Sequence, residues 1–225
     1  MRIVGSEKFF VVMGFKVYGH PLSAPTQRVL LTLTEKELEY EFVFVDLLAG
    51  ENKEEPFISL NPFGQVPVFE DGDLKLIESR AITKYISYLY ADKGTPLFDK
   101  DPKKKAIIGV WLEIEALRFD AAAHRLNFEI VVKPIKGMTA DEAVVEQLGA
   151  QLATVLDVYE ARLGESKYLG GDDYSLVDLH HIPFINKLMQ TKIKTLFDER
   201  PCVSVWCKDL LTRPIWHKVL AGLNM

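Results

Sequence analysis

The chain has 225 residues, 48% of them hydrophobic, with a formal charge of −5 and a pI near 5.6. At about 100–200 residues per domain, that is one or two domains with enough chain for a sizeable core, and the acidic balance argues against a nucleic-acid partner, which would want a basic face. The two cysteines, Cys202 and Cys207, cannot build a disulfide scaffold and fit no metal-ligand spacing, so a reducing compartment, the cytoplasm, is expected.

Arg2 and Lys8 precede a short apolar run from Phe9 to Phe15, broken by Gly14. A signal peptide has such a charged start, but this run is short and no small-residue cleavage site follows. Residues 1–14 are read as an N-terminal extension, with Met13 as an alternative start. A membrane span needs about 20 apolar residues, far more than this.

Phe15-Lys-Val-Tyr18 alternates as a strand does, and Gly19-His-Pro21 ends it. From Ser23 to about Glu37, Val29, Leu30 and Leu33 share one helix face. Leu38 to Val45 reads as a second strand, and a helix between two strands allows them to be parallel. Leu47 to Gly64 is charged and contains Pro56 and Pro62, so it is expected to be irregular. Gln65–Phe69 and Leu74–Ile77 flank Asp71-Gly72, a strong hairpin signal. Ser79 to Tyr90 returns to helical spacing. Beyond Pro96 the strand signals vanish. Asp101-Pro102 opens one long helical stretch and Ala140–Leu163 carries another. Ser175-Leu-Val-Asp178 has the form of a capping box, and Pro201 and Pro214 are placed to start shorter helices. The expected class is α/β followed by all-α, with an extension (1–14), a first domain (15–92), a linker (93–105) and a helical domain (106–225).

Particular words in this arrangement carry a resemblance: Lys16-Val-Tyr-Gly-His-Pro21, Ser23, Arg28-Val-Leu30, Asn61-Pro-Phe-Gly-Gln-Val-Pro67, Glu78-Ser-Arg-Ala-Ile82, Val155 to Leu163 and Ser175 to Leu179. In this order and spacing, over residues 15 to 222, they resemble the plant phi class of glutathione transferases. The resemblance implies a thioredoxin-like glutathione-binding domain, a helical domain for a hydrophobic co-substrate, and a homodimer. It implies conjugation of glutathione to electrophiles, with glutathione as co-substrate and neither cofactor nor metal.

The thiol of glutathione is only a few per cent thiolate at pH 7, and the thiolate is the nucleophile. Each pKa unit gained needs about 1.4 kcal/mol, and one hydrogen bond to a charged group supplies roughly 1.5–3 kcal/mol. Ser23 stands where the resemblance puts the catalytic serine. A hydroxyl is a poor base, so it is expected to donate to the sulfur. By position alone it reads first as the N-cap of the first helix, and only the resemblance reverses that. No cysteine precedes Cys202, so a covalent mixed-disulfide route is not expected.

The charges of glutathione suggest further contacts that the resemblance supports. Lys53, Gln65 and Asn52 are expected at the glycyl carboxylate. Asn52 departs from the class, where a histidine is common, and a weaker affinity by around 1 kcal/mol is expected. Glu78 is expected at the γ-glutamyl ammonium and Ser79 at its carboxylate. Val66 would pair backbone to backbone with the tripeptide, and Pro67 is expected to be cis. Leu22, Ile114, Phe119 and Phe128 are candidates for the hydrophobic site, while Trp111 is expected in the core. At least one of His180 and His181 is expected to face inward, as a buried, satisfied histidine and not a metal ligand. The same thiolate chemistry would extend to reducing organic hydroperoxides, a peroxidase activity. The rival readings are a non-catalytic carrier of flavonoids or other apolar molecules, and a structural or regulatory module that keeps the fold for dimerisation. No membrane partner is expected.

Overall fold

The computed structural model describes residues 14–223, so the extension lies outside the described residues except for Gly14. The chain begins with β1 (Phe15–Gly19), α1 (Ala24–Glu35) and β2 (Tyr40–Phe44). β1 and β2 are parallel, with α1 as the crossover. Their register sets Val17 opposite Phe42. Ser23 caps α1: its Oγ accepts from the Thr26 N–H at 3.3 Å, and Pro25 occupies the first turn. Val29, Leu30, Leu31 and Leu33 are fully buried because α1 is covered on both sides, by the sheet and α3 and by α8 and α11 of the helical part.

The stretch expected to be irregular holds a short 3-10 turn, Glu51–Lys53, and the one-turn helix α2 (Phe57–Leu60). Phe57 seals a small second core against Val45 and Val68. β3 (Val68–Asp71) runs antiparallel to β1, and β4 (Leu74–Leu76) pairs with β3 through the turn at Gly72, which takes φ +62°. β3 starts later than the apolar run suggested: Pro67 has no N–H to give to the ladder and stands just ahead of it. The sheet order is β2-β1-β3-β4, and α3 (Ser79–Leu89) packs beside α1.

Past the turn region around Gly94, Asp101 caps α4 (Pro102–Ile114), accepting from the N–H groups of Lys103 and Lys104. The helical path then passes a π turn (Glu115–Phe119), α5 (Asp120–Asn127), a second π turn (Phe128–Val132) and α6 (Lys133–Ile135). α7 (Glu142–Glu165) is capped by Asp141. α8 (Leu176–Leu188) is buried nearly all round, as its apolar sequence requires. The Ser175–Asp178 capping box forms, and Asp178 also accepts from the Leu169 N–H and the Trp206 indole at 3.1 Å each. Burial nevertheless pushes the Asp178 carboxyl up to about 6, against the pull of those donors. α9 (Lys194–Asp198), α10 (Pro201–Leu211) and α11 (Pro214–Gly222) complete the chain, two of them starting at the expected prolines. The sheet unit and the helices together are the thioredoxin-like and all-helical arrangement that the sequence suggested.

An ion cluster joins the two parts. Arg28 of α1 is 1% exposed and donates to Glu115 at 3.0 Å, to Asp120 at 2.7 Å and to the carbonyl of His180 at 2.9 Å. Arg80 of α3 forks onto Glu115 with two bonds of 2.8 Å. Burial alone would raise the Glu115 carboxyl, but Arg28, with the two bonds from Arg80 and the His180 ring 3.7 Å away, holds it well below the carboxylate range. His180 and His181 are both fully buried, bonded to Thr83 and to Tyr159, and burial pushes each down to about 4. Among the described residues, no helix is long and apolar enough to cross a membrane, and no group of three potential metal-ligating side chains gathers.

Candidate functional site

A cleft of about 780 Å³ lies between the sheet unit and the helices, in the upper part of the roughly 300–1,000 Å³ range of small-molecule sites. One wall comes from the turn before α1, the 3-10 turn and the loop before Pro67. The other comes from α5, the second π turn, α6 and α8.

Ser23 lines the first wall, half-buried, at the N-terminus of α1. Its Oγ accepts one hydrogen bond from Thr26, which leaves the hydroxyl hydrogen free to donate. The N-cap and the donor roles are therefore compatible in one side chain. The helix end adds its own preference for negative charge. Next to it, the Leu22 N–H donates to His20 Nδ1 at 3.1 Å. Burial pushes His20 down, with Asp46 opposing and Lys187 reinforcing the shift.

Asn52, Lys53, Gln65 and Val66 line the same wall. Asn52 Nδ2 donates to the Gly64 carbonyl at 2.7 Å, and Lys53 Nζ donates to that oxygen at 2.8 Å and to Phe63 at 3.1 Å. Gly64 has φ +57°, and a Cβ there would come within 2.6 Å of the Asn52 carbonyl oxygen. Asn61 was not among the expected residues. Its side chain clamps the loop by donating to the Gln65 carbonyl and accepting from the Phe63 N–H. Val66 precedes a cis Pro67, as the resemblance implied, and lies outside the β3 ladder, so the sheet does not use its backbone groups.

Glu78 and Ser79 lie outside the lining of this cleft, at the start of α3. Ser79 is buried. Glu78 is exposed with φ +68°, a conformation unusual for a residue with a side chain.

The hydrophobic-site expectations need correction. Leu22 lines the cleft, but Ile114, Phe119 and Phe128 do not. Phe119 is fully buried, stacked on Tyr159 at 6.2 Å and tilted against His181 at 4.5 Å. Ile114 packs against the same core, and Trp111 meets Tyr159 edge-on at 5.8 Å. Phe128 is 40% exposed and is not part of the cleft lining. Ile114 precedes both π turns and shares the core-facing side of α4 with Trp111; beyond it the path runs through the two π turns. Each takes an extra residue per turn, so the face counted forward at 3.6 residues per turn is rotated. The helical wall is made instead by His124, Asn127, Ile130, Val131, Ile135 and Phe184. Asn127 is 7% exposed, and its amide oxygen has no hydrogen-bond partner among the described residues. No aspartate or glutamate lines the cleft, while Lys53, Lys136 and Lys187 do.

Known proteins share this arrangement. The chain matches the family model "Glutathione S-transferase, N-terminal domain" over residues 13–88 and "Glutathione S-transferase, C-terminal domain" over residues 119–214. A glutathione S-transferase of Hyoscyamus muticus is 58% identical over 208 residues, 92% of this chain and 98% of that one. A glutathione transferase of Populus trichocarpa superposes with a TM-score of 0.91 at 44% identity, over 94% of this chain and 100% of that one. A maize glutathione S-transferase I, solved in complex with an atrazine glutathione conjugate, superposes with a TM-score of 0.84 at 38% identity, over 94% and 98% of the two chains. These plant matches agree with the phi-class resemblance. The chain belongs to the glutathione S-transferase family, with glutathione as its co-substrate and glutathione conjugation as its reaction.

Proposed function

We propose that Ser23 activates the glutathione thiol by hydrogen-bonding its thiolate, and that the bound thiolate attacks hydrophobic electrophiles held against the helical wall. The observation that carries this is the bonding state of Ser23. It accepts from Thr26 and keeps its own hydrogen for the sulfur, at the start of a 12-residue helix on the cleft wall. In this reading the glycyl carboxylate of glutathione meets Lys53, Asn52 and Gln65, Val66 pairs with the peptide backbone, and Glu78 and Ser79 take the γ-glutamyl end. Lys53 and Asn52 already donate to Gly64, so they hold the loop in shape before the ligand arrives. The sheet unit over 15–92 is thus the glutathione-binding domain and the helices of 106–225 supply the electrophile wall. The homodimer that the resemblance implies belongs to the same proposal.

The test is turnover of glutathione with an aryl halide by the parent and by Ser23→Ala. Losing one hydrogen bond to a charged group, roughly 1.5–3 kcal/mol, predicts a fall in kcat/KM of about 10- to 150-fold, with glutathione affinity changed far less. Unchanged turnover contradicts the role of Ser23. No turnover by the parent, with glutathione still bound, favours the carrier reading over the enzyme.

A further inference from the structure

The charge of the cleft is opposite to that of the chain. The protein carries −5, yet its cleft is lined by three lysines and no carboxylate. Lys53 lies on the glutathione wall. Lys187, on α8, lies on the other, and Lys136 follows α6 at its outer end.

Lys187 is the informative one. It is half-buried, and its Nζ donates to the carbonyl of Leu22, the residue just before Ser23. An ammonium has three donors, and this is the one bond it makes among the described residues. No carboxylate among the described residues lies within ion-pair distance. Burial, with Arg28 adding repulsion, pulls its pKa down to about 8. A half-buried cation without a counter-ion costs free energy, and an anion brought to it recovers that cost. The same helical wall carries the apolar Ile130, Val131 and Phe184, while the lining residues next to Lys187 along the chain, Asn186, Gln190 and Thr191, are polar and uncharged.

We propose that Lys187 is a specificity-determining residue that anchors an acidic group on the electrophile, so that the preferred co-substrates are amphipathic organic acids with an apolar body. This rests on the conjugation reading above. Placement beside Leu22 sets the anchor at the sulfur end of the cleft. A carboxylate held there fixes the distance from the acid to the carbon under attack. With a chloroarene acid, the sulfur–carbon bond forms and the carbon–chlorine bond breaks. Chloride leaves with the bonding pair and the thiol proton passes to solvent.

The probes are 4-chloro-3-nitrobenzoate and its neutral amide, conjugated with glutathione by the parent and by Lys187→Met, which keeps the apolar stem. The variant-to-parent ratio of kcat/KM for each probe cancels intrinsic reactivity. The expected result is that the acid loses about tenfold or more relative to the amide, the size of one charge-assisted hydrogen bond. Equal losses for both probes, which is what a lysine acting on the sulfur itself produces, overturn the proposal. So does no loss for either. Equilibrium binding of the unreactive 4-methyl-3-nitrobenzoate and its amide, with glutathione present, repeats the comparison without turnover. If the parent conjugates neither probe but loses acid binding on Lys187→Met, the conjugation reading fails and the acid anchor stands. If binding is also indifferent to Lys187, both fail.

Discussion

At the scale of single residues, the site depends on short backbone approaches that only small side chains permit. Gly64 accepts both Asn52 and Lys53 through its carbonyl and sits at φ +57° against the Asn52 backbone. Gly64→Ala is expected to cost about 1–3 kcal/mol in stability and to weaken glutathione binding, because the loop that shapes the glycyl end must move. Urea unfolding and glutathione titration check this, and an unchanged affinity would detach the loop from the ligand. Ser23, Lys53 and Gln65 were legible because their words in the sequence are local and characteristic. Asn61 was in such a word but had no assigned work, since its clamp on Gln65 and Phe63 is a matter of loop geometry.

At the scale of elements, strands, caps and starting prolines were readable because their signals are local: alternation around Val17, the Asp101 and Ser175 caps, Pro201 and Pro214. The misplaced element was the helical path after Pro102. Phe119 was expected at the cleft as an aromatic along this stretch, whereas it ends the first π turn buried in the core, and Glu115, which opens that turn, meets Arg28. No local pattern announces a π turn. The Arg28–Glu115–Arg80–Asp120 cluster was equally invisible, because its members come from three stretches far apart along the chain. Removing one partner from a buried pair strands the other charge, so Glu115→Ala is expected to destabilise by about 3–5 kcal/mol. Chemical unfolding measures it. A loss under about 1 kcal/mol would mean that the cluster does not hold α1 and α3 to the helices.

At the scale of the whole molecule, the acidic composition gave no sign of a cleft of opposite charge. Charge totals report the average surface, and a site is local. Acid sensitivity also belongs to this scale. His180 and His181 are neutral when folded, near pKa 4, and take up protons on unfolding, where a histidine titrates near 6.5. Unfolding therefore binds protons below pH 6.5, and stability falls as pH drops from there toward 4. Asp178, raised to about 6, opposes this below pH 6, since its folded form binds the proton more tightly. Two histidines outweigh one carboxyl, so stability at pH 5 is expected to lie of order 2 kcal/mol below that at pH 7. Unfolding curves at the two pH values test the sign, and His181→Gln should flatten the difference.

The central claim is that a hydrogen bond from Ser23 favours the thiolate of bound glutathione. It is tested most directly by titrating that thiol in the complex, following thiolate absorbance in the ultraviolet, with the parent and with Ser23→Ala. The account predicts a bound thiol well below its free value near 8.5 in the parent, rising by about one to two units in the variant. The same pKa in both proteins would contradict it.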